Sequence, residues 1–176
     1  MIQHTYILDT NVYGELLIEP NTDELVRKIR RNKSFFIYGV DVIELELSET
    51  PLHMKYKGKT TRKLLIELFE SLSDEIITVN PLAKYLAEDY LRKYKESAKS
   101  GKYKITKEKY DEESLKTDFE IIAIASIRGI DIVVSLDKRT LLSHLAKDVY
   151  MHINSINGLR TPKLIEYERF KEVYLK

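Results

Sequence analysis

The chain has 176 residues, 43% of them hydrophobic, and balances 29 Lys and Arg against 28 Asp and Glu for a formal charge of +1. That length suits one continuous core, so a single α/β domain over residues 1–176 is expected. Zero cysteines exclude disulfides, thiolate zinc sites and cysteine nucleophiles, and four scattered histidines with no His-x-x-x-His pair leave carboxylates as the abundant metal donors. The elements alternate strand and helix in chain order, which predicts a parallel sheet covered on both faces. Residues 5–8 are a β-prone run stopped by Asp9-Thr10-Asn11, and helices follow at 11–18 and 22–32, the second capped by Asn21 or Thr22. A strand at 35–38 leads into a helix at 41–49, in which Asp41 and Glu44 have the spacing of a capping box. Pro51 and Gly58 mark residues 50–59 as a loop.

Leu64, Leu65, Leu68 and Phe69 have helical spacing within 61–72, and a strand is expected at 76–79. Asn80-Pro81 opens a long helix that Gly101 would stop, part of an extended helical segment at about 82–110. A largely apolar helix spans 112–128 up to Gly129, followed by a buried strand at 132–135, a helix at 138–146 and a last strand at 149–153. Thr161-Pro162 reads as the start of a final amphipathic helix through Leu164, Ile165 and Phe170. No apolar run approaches the ~20 residues that span a bilayer, and the N-terminus does not read as a signal peptide, so a cytoplasmic protein with no membrane partner is expected.

In parallel α/β sheets, ligands bind beyond the carboxyl ends of the strands where the winding reverses. Asp9 and Asp137 each follow a strand directly, although each also stands where a helix cap would. Asp118 lies on or beside the apolar stripe of its helix with Ser114, Leu115, Ile121, Ile122 and Ala125, where a carboxylate is costly unless paired or bound to a cation. Glu44, Glu46 and Glu49 share one helix, and spacing alone does not choose among them. Carboxylates from two strand ends and two flanking helices would repel one another unless a divalent cation, Mg²⁺ or Mn²⁺, joined them.

Charge is also patterned. Residues 55–63 carry five positive charges (Lys55, Lys57, Lys59, Arg62, Lys63) and no negative one. From Lys84 to Lys109, nine Lys or Arg, among them Arg92, Lys102 and Lys104, face four acids, with Tyr85, Tyr90, Tyr94, Tyr103 and Tyr110 interleaved. Such stretches suit a phosphate backbone with stacked bases; a solvated helix face gives the same pattern.

The chain resembles the PIN-domain family, the nuclease fold of the VapC toxins and of several RNA-processing enzymes. Tyr6-Ile7-Leu8-Asp9-Thr10-Asn11 is similar to the family's first acidic motif, and the segment from Ile37 to Leu45 to the one supplying its glutamate, which selects Glu44. Thr117-Asp118-Phe119 and Val134-Ser135-Leu136-Asp137 match the third and fourth acidic positions, with Leu136 and Ser135 where the family usually shows Asn and Thr. The resemblance implies a three-layer α/β/α sandwich around a mainly parallel five-stranded sheet. It implies a metal-dependent endoribonuclease in which Asp9, Asp118, Asp137 and Glu44 hold Mg²⁺ or Mn²⁺, with Thr10, Asn11 and Ser135 hydrogen-bonding around them. RNA is the implied partner, and for a toxin also an antitoxin and a second copy in a homodimer. The helices at 82–100 and 162–172 offer faces for such contacts or for the core. A non-catalytic RNA-binding module on the same fold is the alternative. A phosphatase using Asp9 as nucleophile is disfavoured, because Asp9-Thr10-Asn11 lacks a second aspartate two residues on.

Overall fold

A computed structural model describes residues 3–100 and 112–174. Strand β1 (His4–Leu8), helices α1 (Thr10–Ile18) and α2 (Thr22–Arg31), strand β2 (Phe35–Val40) and helix α3 (Asp41–Ser48) open the chain. A small hairpin of β3 (Lys55–Tyr56) and β4 (Lys59–Thr60) precedes α4 (Thr61–Leu72), β5 (Glu75–Ile77) and the long α5 (Pro81–Lys99). The remainder is α6 (Glu112–Arg128), β6 (Ile132–Ser135), α7 (His144–Ile156), β7 (Lys163–Glu166) and α8 (Tyr167–Tyr174).

The main sheet has five strands in the order β5-β2-β1-β6-β7, every pairing parallel. From β1 the chain winds outward through β2 to β5, then returns to the other side of β1 to form β6 and β7. Right-handed crossovers in opposite directions put their helices on opposite faces. Accordingly α1, α2, α3 and α4 pack among themselves, while α5 packs on α6 and α7. Helix α8 joins the first group, with Phe170 against Tyr6 and Phe35 and Lys171 paired to Glu19 at the end of α1. The result is the α/β/α sandwich with a five-stranded central sheet, and its winding reverses between β1 and β6. Central strands covered on both faces read as continuous apolar runs, as Tyr6-Ile7-Leu8 and Ile132-Val133-Val134 do, all buried.

Local chemistry fixes where the elements begin and end. The Asn80 side chain accepts from Ala83 N–H at 2.9 Å, with Pro81 in the first turn of α5. Gly129, at φ +66°, ends α6: Ile130 N–H donates to Ala125 O at 2.9 Å, a closure that needs the left-handed residue between them. At the amino ends of the strands, Asp131 accepts from both the amide (3.0 Å) and the hydroxyl (3.0 Å) of Thr5, which locks β1 in register. Among the described residues no helix is long and apolar enough to cross a membrane.

Several expectations are corrected. Residues 138–143 are turns, because Asp137 accepts from the amides of Arg139 (2.8 Å) and Thr140 (2.9 Å) and holds them in a tight loop. The helix begins only at His144, where the Ser143 hydroxyl accepts from Ala146 N–H. Residues 149–153 are not a strand: Leu145, Val149, Tyr150 and Ile153 bury one face of α7, so helical period overrides their β propensity. The last strand is β7, read from sequence as the start of a helix. Thr161 does not cap a helix; its hydroxyl accepts from Asn154 at 2.9 Å. Pro162 sits just before the strand, where its missing N–H costs no ladder bond. The loop at 50–59 contains the β3–β4 hairpin, Asn21 makes no side-chain cap, and Gly101 lies outside the described residues.

Candidate functional site

Register brings the acids together. Leu8 pairs with Val134, so Asp9 and Ser135 leave adjacent strands side by side, ~5 Å apart, at the carboxyl edge where the winding reverses. Asp9 N–H donates to Val134 O at 2.9 Å, which holds that edge closed. Asp9 then caps α1, accepting from Thr10 N–H at 2.8 Å, and also receives the Ser135 hydroxyl at 2.6 Å. Only 3% of Asp9 is exposed.

Asp137 and Asp118 meet across one hydroxyl. Thr140 Oγ1 lies 2.7 Å from Asp118 Oδ2 and also contacts Asp137 Oδ2, so the turn after β6 ties its own aspartate to the one on α6. The Asp137 amide donates to Ser135 Oγ at 2.9 Å, and Asn11 bridges the same stretch by accepting from Leu136 N–H at 2.9 Å. Thr10, Asn11 and Ser135 all lie against this cluster.

Glu46, rather than the Glu44 selected by resemblance, lies against the cluster. Thr10 Oγ1 donates to Glu46, and it is Glu46, not Glu44, whose charge acts on both Asp9 and Asp118. Ile43 and Leu47 form the buried stripe of α3, and at roughly 100° per residue Glu44 and Glu46 flank that stripe on opposite sides. Glu46 is on the flank that meets Thr10 at the start of α1. The capping box is absent too: Val40 is the cap residue, and Asp41 Oδ1 accepts from Val42 and Val79 amides, tying α3 to the exit of β5. Thr140 was also missed, since a threonine three residues past a strand-end aspartate reads as helix interior.

Electrostatically the cluster is uncompensated. Burial, opposed by the Ser135 and Thr10 hydrogen bonds and reinforced by the charges of Glu46 and Asp137, pushes the Asp9 carboxyl up to about 6. Burial and the charge of Asp9, with Thr140 opposing and Asp137 and Glu46 adding, push Asp118 up to about 8. Glu46 is raised by burial, against the Thr10 hydrogen bond and with the help of Glu49. Among the described residues no lysine, arginine or histidine forms an ion pair with Asp9, Glu46, Asp118 or Asp137. Four hard oxygen donors with no counter-charge fit a divalent cation in chemistry. In position they are held by hydroxyls instead, and among the described residues no three Asp, Glu, His or Cys side chains are arranged to hold a metal ion as they stand.

The basic residues fall into three groups. Lys55, Lys57 and Lys59 are exposed on the β3–β4 hairpin. Arg62 Nε donates to Thr50 O at 2.6 Å, Lys63 pairs with Glu67 and Arg92 with Asp89. Lys102, Lys104, Tyr103 and Tyr110 lie outside the described residues. Of the interleaved tyrosines, Tyr85 is 68% exposed, but Tyr90 and Tyr94 are buried against Phe119, so their rings serve the core rather than a base.

No family model matches the sequence, and no curated protein matches it. Among solved structures the chain is similar to VapBC2 from Rickettsia felis, bound to a DNA fragment from their promoter. The identity is 13%, the TM-score 0.49, and the match covers 93% of this chain and 98% of that chain.

Proposed function

We propose that this chain is a metal-dependent endoribonuclease, hydrolysing RNA phosphodiester bonds at the carboxylate cluster. The observation that carries the reading is the convergence of Asp9, Glu46, Asp118 and Asp137 at the winding reversal, with no cationic side chain paired to them among the described residues. A bound Mg²⁺ or Mn²⁺ would supply counter-charge and a more acidic water. Asp9, Asp118 and Asp137 would hold it, and Glu46 takes the fourth place that the resemblance gave to Glu44. Thr140 fixes the spacing of Asp118 and Asp137, and Ser135 fixes Asp9. Glu46, half-buried and held by Thr10, is set to orient the attacking water. Products with a 5′-phosphate and a 3′-hydroxyl follow from the resemblance.

The test is incubation of the purified chain with varied RNAs in Mg²⁺, in Mn²⁺ and in excess EDTA, comparing wild type with Glu46→Gln and Glu44→Gln. Cleavage that needs the metal, is lost in Glu46→Gln and survives in Glu44→Gln supports the reading. Undiminished cleavage in chelator excludes it, and RNA binding without cleavage in any metal leaves only a binding module. A toxin of this activity further implies an antitoxin covering the acidic edge and a homodimer. Growth arrest on expression, relieved by the product of an adjacent gene, distinguishes it from an RNA-processing enzyme.

A further inference from the structure

An acidic active site poses a problem for a polyanionic substrate. Four carboxylates at one edge repel a phosphate backbone, and a formal charge of +1 over the whole chain supplies no general attraction. The attraction must be local. The β3–β4 hairpin meets that need by position: it springs from the end of α3, whose last turn carries Glu46. Its root at Thr50 follows directly on Glu49, the residue that caps α3. Arg62 pins the root by donating to Thr50 O, and Thr61 N–H closes it on Met54 O at 2.9 Å.

The composition of the tip is not what folding alone would select. Lys57 has φ 48° and Gly58 φ 79°, both left-handed, as a two-residue turn with the twist of a hairpin requires. Glycine suits that backbone, and asparagine would suit the first position, whereas an ordinary side chain costs about 1–2 kcal/mol there. A lysine stands at the strained position, and its Nζ lies 5.1 Å from the centroid of the Tyr56 ring, which itself packs on the core. Lys55, Lys57 and Lys59 are exposed, and no carboxylate pairs with any of them among the described residues.

We propose that the β3–β4 hairpin is a clamp for the phosphate backbone of single-stranded RNA, delivering it to the acidic edge; this rests on the nuclease reading above. Lys57 and its neighbours contact phosphates, and the half-buried Tyr56 ring anchors the ribbon that presents them.

Binding is measured by the anisotropy of a fluorescein-labelled oligouridylate in EDTA, over a range of NaCl concentrations, so that no cleavage enters. The combined variant Lys55→Gln, Lys57→Asn and Lys59→Gln should bind about tenfold more weakly near 0.1 M salt. Its slope of log affinity against log salt should be shallower by about 2, as loss of three single-strand phosphate contacts requires. Lys57→Asn alone should weaken binding about twofold while leaving Tm unchanged or raised, because asparagine tolerates the turn, and Lys57→Arg should restore affinity. Unchanged affinity and slope in the combined variant overturn the proposal, as does wild-type binding with no salt dependence. Loss of poly-glutamate binding with RNA binding intact overturns it too, in favour of an acidic protein partner. Weakened RNA binding in a protein that cuts nothing in Mg²⁺ or Mn²⁺ supports the clamp while the nuclease reading fails, so the two are separately decided.

Discussion

The two ends of the central sheet use the same side chain in opposite ways. At the amino ends, Asp131 accepts from the Thr5 amide and hydroxyl and pairs with Arg160 at 2.9 Å, and Asp74 accepts from the Ile37 amide at 2.8 Å and pairs with Arg30 at 3.3 Å. Burial works against the Asp131 charge, but those hydrogen bonds and the Arg160 guanidinium outweigh it and hold the carboxyl below its usual range. At the carboxyl ends, Asp9, Glu46, Asp118 and Asp137 have hydroxyls and amides but, among the described residues, no guanidinium or ammonium paired to them, and Asp9 and Asp118 are pushed up. An aspartate with its own arginine is complete within the fold. At the carboxyl ends burial and mutual repulsion favour the neutral form of Asp9 and Asp118 instead.

The largest way to break that contrast is to remove a carboxyl-end acid. Asp118→Asn should lower metal-dependent RNA cleavage by about 10²- to 10³-fold with the fold intact, the scale of losing one preorganised electrostatic group; single-turnover rates in Mg²⁺ check it. Thr140→Val leaves every acid in place but frees the Asp118–Asp137 spacing. It should cost about 10- to 100-fold in cleavage or metal affinity, as for groups that orient metal ligands, which titration calorimetry with Mn²⁺ reads directly.

Asp131→Ala attacks the other end. It should destabilise by about 1–3 kcal/mol through unpaired partners, lowering Tm by roughly 2–4 °C for each kcal/mol. Its cleavage rate per folded molecule should match wild type.

The smallest effect is the most specific, because its sign differs between the ends. Carboxyls raised from 3.8 to about 6 (Asp9) and about 8 (Asp118) contribute stability that is full below pH 3.8 and is lost as pH rises through those values. The lowered Asp131 contributes stability that is present above its unfolded value and lost as pH falls. In EDTA, therefore, Asp118→Asn should melt a few degrees above wild type at pH 9 and lose that advantage near pH 4, while Asp131→Ala should melt below wild type at neutral pH. Thermal scans across pH measure both, and an Asp118→Asn that melts below wild type at pH 9 would refute the uncompensated site.

The placement of Asp9, Asp118 and Asp137 in the fold was legible because a strand end and an apolar helix stripe are visible in one dimension. Leu8-Asp9, Leu136-Asp137 and the run after Asp118 each carry that signal. Glu46 was not legible, because it and Glu44 flank the buried stripe of α3 symmetrically and only tertiary packing tells the flanks apart. The parallel α/β class followed from alternation and the five-stranded sheet from the resemblance, but residues 138–143, 149–153 and 163–166 were misassigned. There Asp137 spends its side chain on turn amides, and Thr161 spends its own on Asn154. Side-chain hydrogen bonds of that kind leave no periodic trace. The basic runs looked alike, yet one became a hairpin with exposed lysines while Tyr90 and Tyr94 of the other went into the core.

The contact between Ser135 and Asp9 spans 126 positions of chain, which sets an order of events during synthesis. Chains emerge amino end first, so the ribosome releases Asp9 and Glu46 long before Asp118, Ser135 and Thr140 exist to join them. Until β6 has slid in beside β1, there is no acidic pocket and nothing for a dication to fill. A growing chain of this protein therefore cannot assemble the acidic cluster until residues through Thr140 have emerged.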